Sequence, residues 1–142
     1  MTSRFSIRHM ILIALAVSTL VAGAFSSAQT KAMVRVPFTF RANHQTFPAG
    51  YYKLELLSDR LLSFTDNNSG THHGVIMVRP EPVPYIETRG VMRFLRSGDR
   101  HYLTEIQFAG SSTHSAPVLQ PSLARELANN RHAATPVEIA MR

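Results

Sequence analysis

Residues Val34 to Arg41 read V-R-V-P-F-T-F-R, and this strict alternation most constrains the fold. Val34, Val36, Phe38 and Phe40 fall on one side of an extended chain, and Arg35, Pro37, Thr39 and Arg41 on the other. That is the pattern of a strand with one face buried. Pro37 cannot donate a ladder hydrogen bond, so an edge position is expected. The same period returns in Tyr51 to Leu57, where Tyr52, Leu54 and Leu56 point one way, and in Val137 to Ala140, and Leu61 to Thr65 is a further short run. Val75 to Val78 is continuously apolar, which suits a strand covered on both faces.

Turn chemistry separates these runs. Asn43-His44-Gln45 is a polar turn, Phe47-Pro48-Ala49-Gly50 has the residues of a type I turn, and Asp66-Asn67-Asn68-Ser69-Gly70 is a dense turn signal. Arg79 to Pro84 carries proline at alternate positions and is expected as a polyproline II connection. Gly90 to Phe108 forms a hairpin around Ser97-Gly98-Asp99. A three-residue loop would pair Phe94 with Tyr102 and Met92 with Thr104, gathering Met92, Phe94, Tyr102, Ile106 and Phe108 on one face. Arg89, Arg93, His101 and Glu105 would then form the wet face. Ala109 to Gln120 reads as a polar loop. Ser122 can cap a helix of about nine residues with Leu123, Leu127 and Ala124 as its apolar stripe, too short to stand alone in water. Strands joined by turns rather than helices predict a mainly β fold: an antiparallel β-sandwich or small β-barrel of about seven strands with one short C-terminal helix.

The first 28 residues say where such a fold would act. Arg4, Arg8 and His9 precede sixteen apolar or small residues from Met10 to Phe25, and Ser26-Ser27-Ala28 offers a small-residue cleavage site. That is the pattern of a secretory signal peptide cut between Ala28 and Gln29. A retained anchor is the alternative, but about 20 mostly apolar residues are needed to span a bilayer. Membrane attachment is expected only through an uncleaved leader, and the mature protein is expected in the periplasm or outside the cell. Cleavage of 28 residues from 142 leaves 114, enough for the single domain expected over 29–142. The chain has no cysteine, which excludes disulfides, thiolate metal sites, cysteine nucleophiles and lipid attachment through cysteine. An exported domain of this kind has to be held by packing.

Four ordered segments carry a resemblance: V-P-F-T-F at 36–40, F-P-A-G-Y-Y at 47–52, F-L-R-S-G-D-R-H-Y-L at 94–103 and S-L-A-R-E-L-A at 122–128. The chain resembles a group of small exported bacterial β-rich proteins of uncharacterised function, whose members carry a PF-x-F strand, an L-P-A-G-x-Y turn, a G-D hairpin and an S-x-x-x-E helix. Phe47 stands where leucine is usual, and Ser97 where an aromatic is usual. The resemblance implies export and a β-rich fold, and transfers no catalytic residue.

Chemistry-bearing patterns are sparse. His44, His72, His73, His101, His114 and His132 show neither i, i+2 strand spacing nor i, i+3 or i, i+4 helix spacing, so no metal site is expected. No G-x-S-x-G is present, and Ser111-Ser112 lies in a loop without an obvious base. Asp66 and Asp99 suit local turn bonding, Glu126 a cap or dipole role. No catalytic residue and no cofactor are expected. Arg89, Arg93, Arg96 and Arg100 cluster around the hairpin, where they could bind single-stranded nucleic acid or blunt a sheet edge. Export removes nucleic acid as a partner and leaves an anionic envelope component. The leader takes two of the 15 basic residues and none of the nine acidic ones, so the mature chain keeps a net charge of +4. The leading expectation is a non-enzymatic exported β-domain with a binding or structural role in the cell envelope. The alternatives are a small hydrolase or isomerase, or a carrier of a small apolar ligand, with its site in a barrel mouth.

Overall fold

The computed structural model describes residues 30–119, 121–129 and 134–142. The expected leader, including Ala28 and Gln29, lies outside the described residues. The described chain is mainly β, with ten strands and one helix: β1 (Lys31–Val36), β2 (Phe40–Ala42), β3 (Gln45–Phe47), β4 (Gly50–Ser58), β5 (Leu61–Asp66), β6 (His72–Pro82), β7 (Val91–Ser97), β8 (Arg100–Gln107), β9 (Thr113–Pro117), α1 (Pro121–Asn129) and β10 (Thr135–Ala140). Among the described residues no helix is long and apolar enough to cross a membrane.

The pairing runs β1-β4-β5-β6-β9-β8-β7-β10, antiparallel throughout. The β2–β3 hairpin branches from β8, with β2 parallel to β8, so the sheet is mixed. The sheet does not close into a barrel. Ten strands replace the expected seven for identifiable reasons. The run Val34–Arg41 is broken at Pro37–Thr39 into β1 and β2, which lie in distant parts of the sheet. Gln45–Phe47 forms the additional β3. The expected loop Ala109–Gln120 contains β9, whose partner is the proline-rich segment.

That segment is not polyproline II. Pro80 and Pro82 lie within β6, opposite Ser115 and Thr113. Val83 N–H donates to Ser112 O at 3.0 Å, so odd-numbered residues here turn their N–H groups toward β9. The alternate prolines therefore place each missing donor on the unpaired edge, the one arrangement a ladder tolerates. Val75–Val78 is likewise not covered on both faces: Ile76 and Val78 are buried, while Met77 is 56 % exposed.

The β7–β8 hairpin also departs from expectation. Ser97 pairs with Arg100 across a two-residue Gly98-Asp99 loop, with Gly98 at φ 61°. This sets Phe94 opposite Leu103 and Leu95 opposite Tyr102. A bulge then shifts the register so that Met92 meets Ile106. The extra residue, Thr104, reconciles a tight turn with an aligned apolar set. Leu103 joins the core, and Tyr102 is buried outside the core cluster. In α1 only Leu127 is buried, and Glu126 lies 4.0 Å from Arg100 at the start of β8.

One core fills the space inside the sheet. Phe40, Phe47, Tyr52, Phe64 and Phe94 are each no more than 1 % exposed, with ring centroids 4.7–6.4 Å apart in edge, tilted and stacked pairs. The β2–β3 hairpin reaches β6 through side chains: Gln45 Nε2 donates to Val75 O at 3.1 Å and Asn43 Nδ2 to Met77 O at 3.2 Å. Gly74 makes room for this approach. Its φ is +154°, and a Cβ there would fall 2.2 Å from Gln45 Oε1. The Asp66 turn closes on its own carboxylate, which accepts N–H bonds from Ser69 at 2.7 Å and Asn68 at 2.8 Å. The bond from Ser69 leads in holding Asp66 below the usual carboxylate range.

Candidate binding cleft

The opening lies where the two ends of the sheet meet. On β1, Leu56 N–H donates to Thr30 O, so even-numbered residues bond to β4 and Lys31, Met33 and Arg35 turn their main-chain groups outward. On β10, Met141 N–H donates to Gly90 O, so Glu138, Ala140 and Arg142 turn theirs outward. The two edges exchange one reciprocal pair: Met33 N–H to Arg142 O at 2.7 Å and Arg142 N–H to Met33 O at 2.8 Å. Continued antiparallel pairing would set Arg35 against Ala140 and Pro37 against Glu138. Pro37 has no N–H, and the edges part instead.

The gap is a groove of about 900 Å³. Its walls include Arg35, Pro37, Tyr51, Asn68, Ala140 and Arg142, with Val34 and Val36 at the level of the core. A second hollow of about 300 Å³ adjoins it beyond the Met33–Arg142 pair. Phe108, Ala109 and Met141 give it apolar sides, and Lys31, Arg89 and Arg142 a cationic rim. Lys31 is paired with Glu55 at 3.2 Å. Arg35, Arg89 and Arg142 have no carboxylate partner among the described residues. Among the described residues neither cavity is lined by a histidine, aspartate or glutamate.

Most of the acidic side chains are engaged elsewhere. A charged stripe crosses the outer face over β6, β9, β8, β7 and β10. Arg79 Nε donates to Glu81 at 2.8 Å, and His114 Nε2 lies 3.2 Å from Glu81 Oε2. His114 Nδ1 is 3.5 Å from Glu105, which bonds Arg93. Arg93 also donates to Glu87 at 3.0 Å and to Glu138 at 2.9 Å. Burial opposes the Arg93 charge, but the bond to Glu138 and the field of Glu105 hold its guanidinium above its ordinary value. Glu81 is held below its ordinary value, first by Arg79 and then by His114. The stripe ties five strands together and anchors β10 beside the groove.

The four arginines singled out from sequence do not form one surface. Arg89 borders the smaller hollow. Arg93 sits inside the acidic stripe, half-buried rather than on a wet face. Arg96 lies opposite His101, and its Nε donates to Gly98 O at 3.0 Å within the hairpin turn. Arg100 lies by Glu126. His101 is partly exposed: it stacks on Phe38 at 3.8 Å, and burial followed by the Arg96 charge lowers its pKa. Arg35 and Arg142 were not singled out, although Arg35 as an outward residue two places before Pro37 carries the signal of a charged, unpaired edge. Among the described residues no three potential metal ligands gather; His72 approaches Ser63, and His73 packs against Tyr52. No family model matches the chain, and no curated protein or solved structure matches it either.

Proposed function

We propose that the protein is an exported, non-enzymatic β-domain that binds an anionic component of the cell envelope at the groove between β1 and β10. One observation carries this reading: Arg35, Arg89 and Arg142 border the two adjoining cavities with no carboxylate partner among the described residues, while Glu81, Glu87, Glu105 and Glu138 are held in the stripe. Cations at a concave surface raise the local concentration of anionic ligands. Acid–base catalysis would draw on histidine, aspartate or glutamate side chains in these cavities, and the described residues of their linings include none. Export rests on the leader and on the order of the four motif segments. In this reading the chain is processed between Ala28 and Gln29.

Retention of the protein on a carboxylated polysaccharide resin and on phosphatidylglycerol vesicles tests the reading, and the two arms separate a polymer source from a lipid source. Salt-sensitive retention is expected on at least one. The Arg35→Ser, Arg89→Ser, Arg142→Ser triple variant should lose it, because exposed charges are screened over about 10 Å at 0.1 M salt. Equal retention of the variant, or no retention on either surface, overturns the assignment.

A further inference from the structure

We infer that the groove receives an extended acidic peptide segment of a partner protein, added as a strand along the free edge of β1. This rests on the groove being the binding surface proposed above and specifies its occupant.

The main chain makes the case. Arg35 presents both its N–H and its C=O into the groove, and Pro37 presents a C=O. The facing wall offers the outward groups of Ala140. β1 and β10 run antiparallel at their one shared pair, so an inserted strand is antiparallel to one wall and parallel to the other. Such unpaired edges are templates for strand addition, in which main-chain bonds supply affinity and alternate side chains supply selectivity. At strand spacings of 3.3 Å per residue, 4.8 Å between strands and 10 Å between sheets, an extended residue occupies roughly 160 Å³. The groove of about 900 Å³ therefore has room for a short segment.

Charge selects the occupant. The residue directly opposite Arg35 shares its outward face, where an opposite charge stabilises and a like charge destabilises. Two copies joined edge to edge about Arg35 would set arginine against arginine, so self-pairing is disfavoured and an acidic segment is favoured. The neighbours of that acidic residue turn toward the level of Val34 and Val36, where apolar side chains fit. The expected segment alternates apolar and acidic residues.

The probe is a five-residue capped peptide, valine–glutamate–valine–glutamate–valine, titrated into the isotopically labelled protein. Binding is expected to slow amide exchange at Arg35. N-methylation of the glutamates keeps their charge and removes the donors facing Arg35, and should weaken binding at least tenfold. Replacing the glutamates with lysines should weaken it at least as much. Equal binding of the N-methylated peptide, or exchange at Arg35 unchanged by bound peptide, overturns strand addition and leaves the anionic-ligand reading standing. Failure of the peptide to bind while the protein is still retained on the anionic resin or vesicles has the same meaning. Unchanged resin and vesicle retention by the Arg35→Ser, Arg89→Ser, Arg142→Ser variant defeats both.

Discussion

Phe40→Ala should cost about 3–5 kcal/mol of stability, the range for truncating a fully buried aromatic. Phe40 is 0 % exposed and packs against Phe47, Tyr52, Phe64 and Phe94. These rings come from β3, β4, β5 and β7, so one truncation opens a void shared by both halves of the sheet. Domains of this size hold only about 5–15 kcal/mol in total, and no disulfide constrains the unfolded chain. The urea midpoint should fall by roughly 2 M, taking a slope of about 1–3 kcal/mol per molar. Phe38→Ala serves as the comparison. Phe38 is only half-buried and packs at the edge of the core on Phe94 and His101, so its truncation should cost clearly less. A Phe40→Ala midpoint within about 0.5 M of wild type would mean that the aromatic cluster does not organise the core.

Arg93→Met should cost about 2 kcal/mol. A fully buried pair broken on one side loses about 3–5 kcal/mol and an exposed pair about 0–1. Arg93 lies between these limits at 23 % exposure, with Glu105 at 22 %. The loss arises chiefly from leaving Glu87, Glu105 and Glu138 crowded without their shared cation. Arg93→Lys should restore only part of it, because an ammonium cannot reproduce the guanidinium fork that reaches three carboxylates. Because Glu138 is on β10, amide exchange in β10 should accelerate in Arg93→Met more than in β4. An unchanged urea midpoint would reduce the stripe to a solvated surface feature.

The parts of the fold legible in the sequence are those set by local pattern. The period-2 runs of β4 and β10 follow from side-chain alternation, and the short helix from its apolar spacing, although it starts at Pro121 and so holds Ser122 inside it rather than at its cap. What could not be read is set by which edge of each strand is paired. Pro80 and Pro82 look like a break in any sheet until their partner is known to lie on the opposite edge. His114 and Ser115 look like loop residues because β9 is held by that same proline-bearing strand. The β7–β8 register depends on the bulge at Thr104, a compromise between the Gly98-Asp99 turn and the apolar face that neither reveals alone. The arginine cluster was chosen by nearness in sequence. A strand sends neighbours to opposite faces, and the fold brings carboxylates from three other positions, Glu87, Glu105 and Glu138, onto Arg93. The cleft joins residues far apart in the chain, Arg35 and Arg142, and only the single Met33–Arg142 contact between the two edges of the open sheet makes them neighbours. Pro37 was the single local clue, read as the sign of an edge, and it stands where the edges part.

The account depends on the β1–β10 seam being held at Met33–Arg142 and open beyond it. Residue-resolved amide hydrogen exchange of the unliganded protein tests this most directly. The amides of Met33 and Arg142 should be protected, while those of Arg35, Glu138 and Ala140 should exchange rapidly although their neighbours Val34 and Ile139 are slow. Strong protection at Arg35 and Ala140 would show that the ladder continues across the seam, and would contradict both the open groove and the binding surface assigned to it.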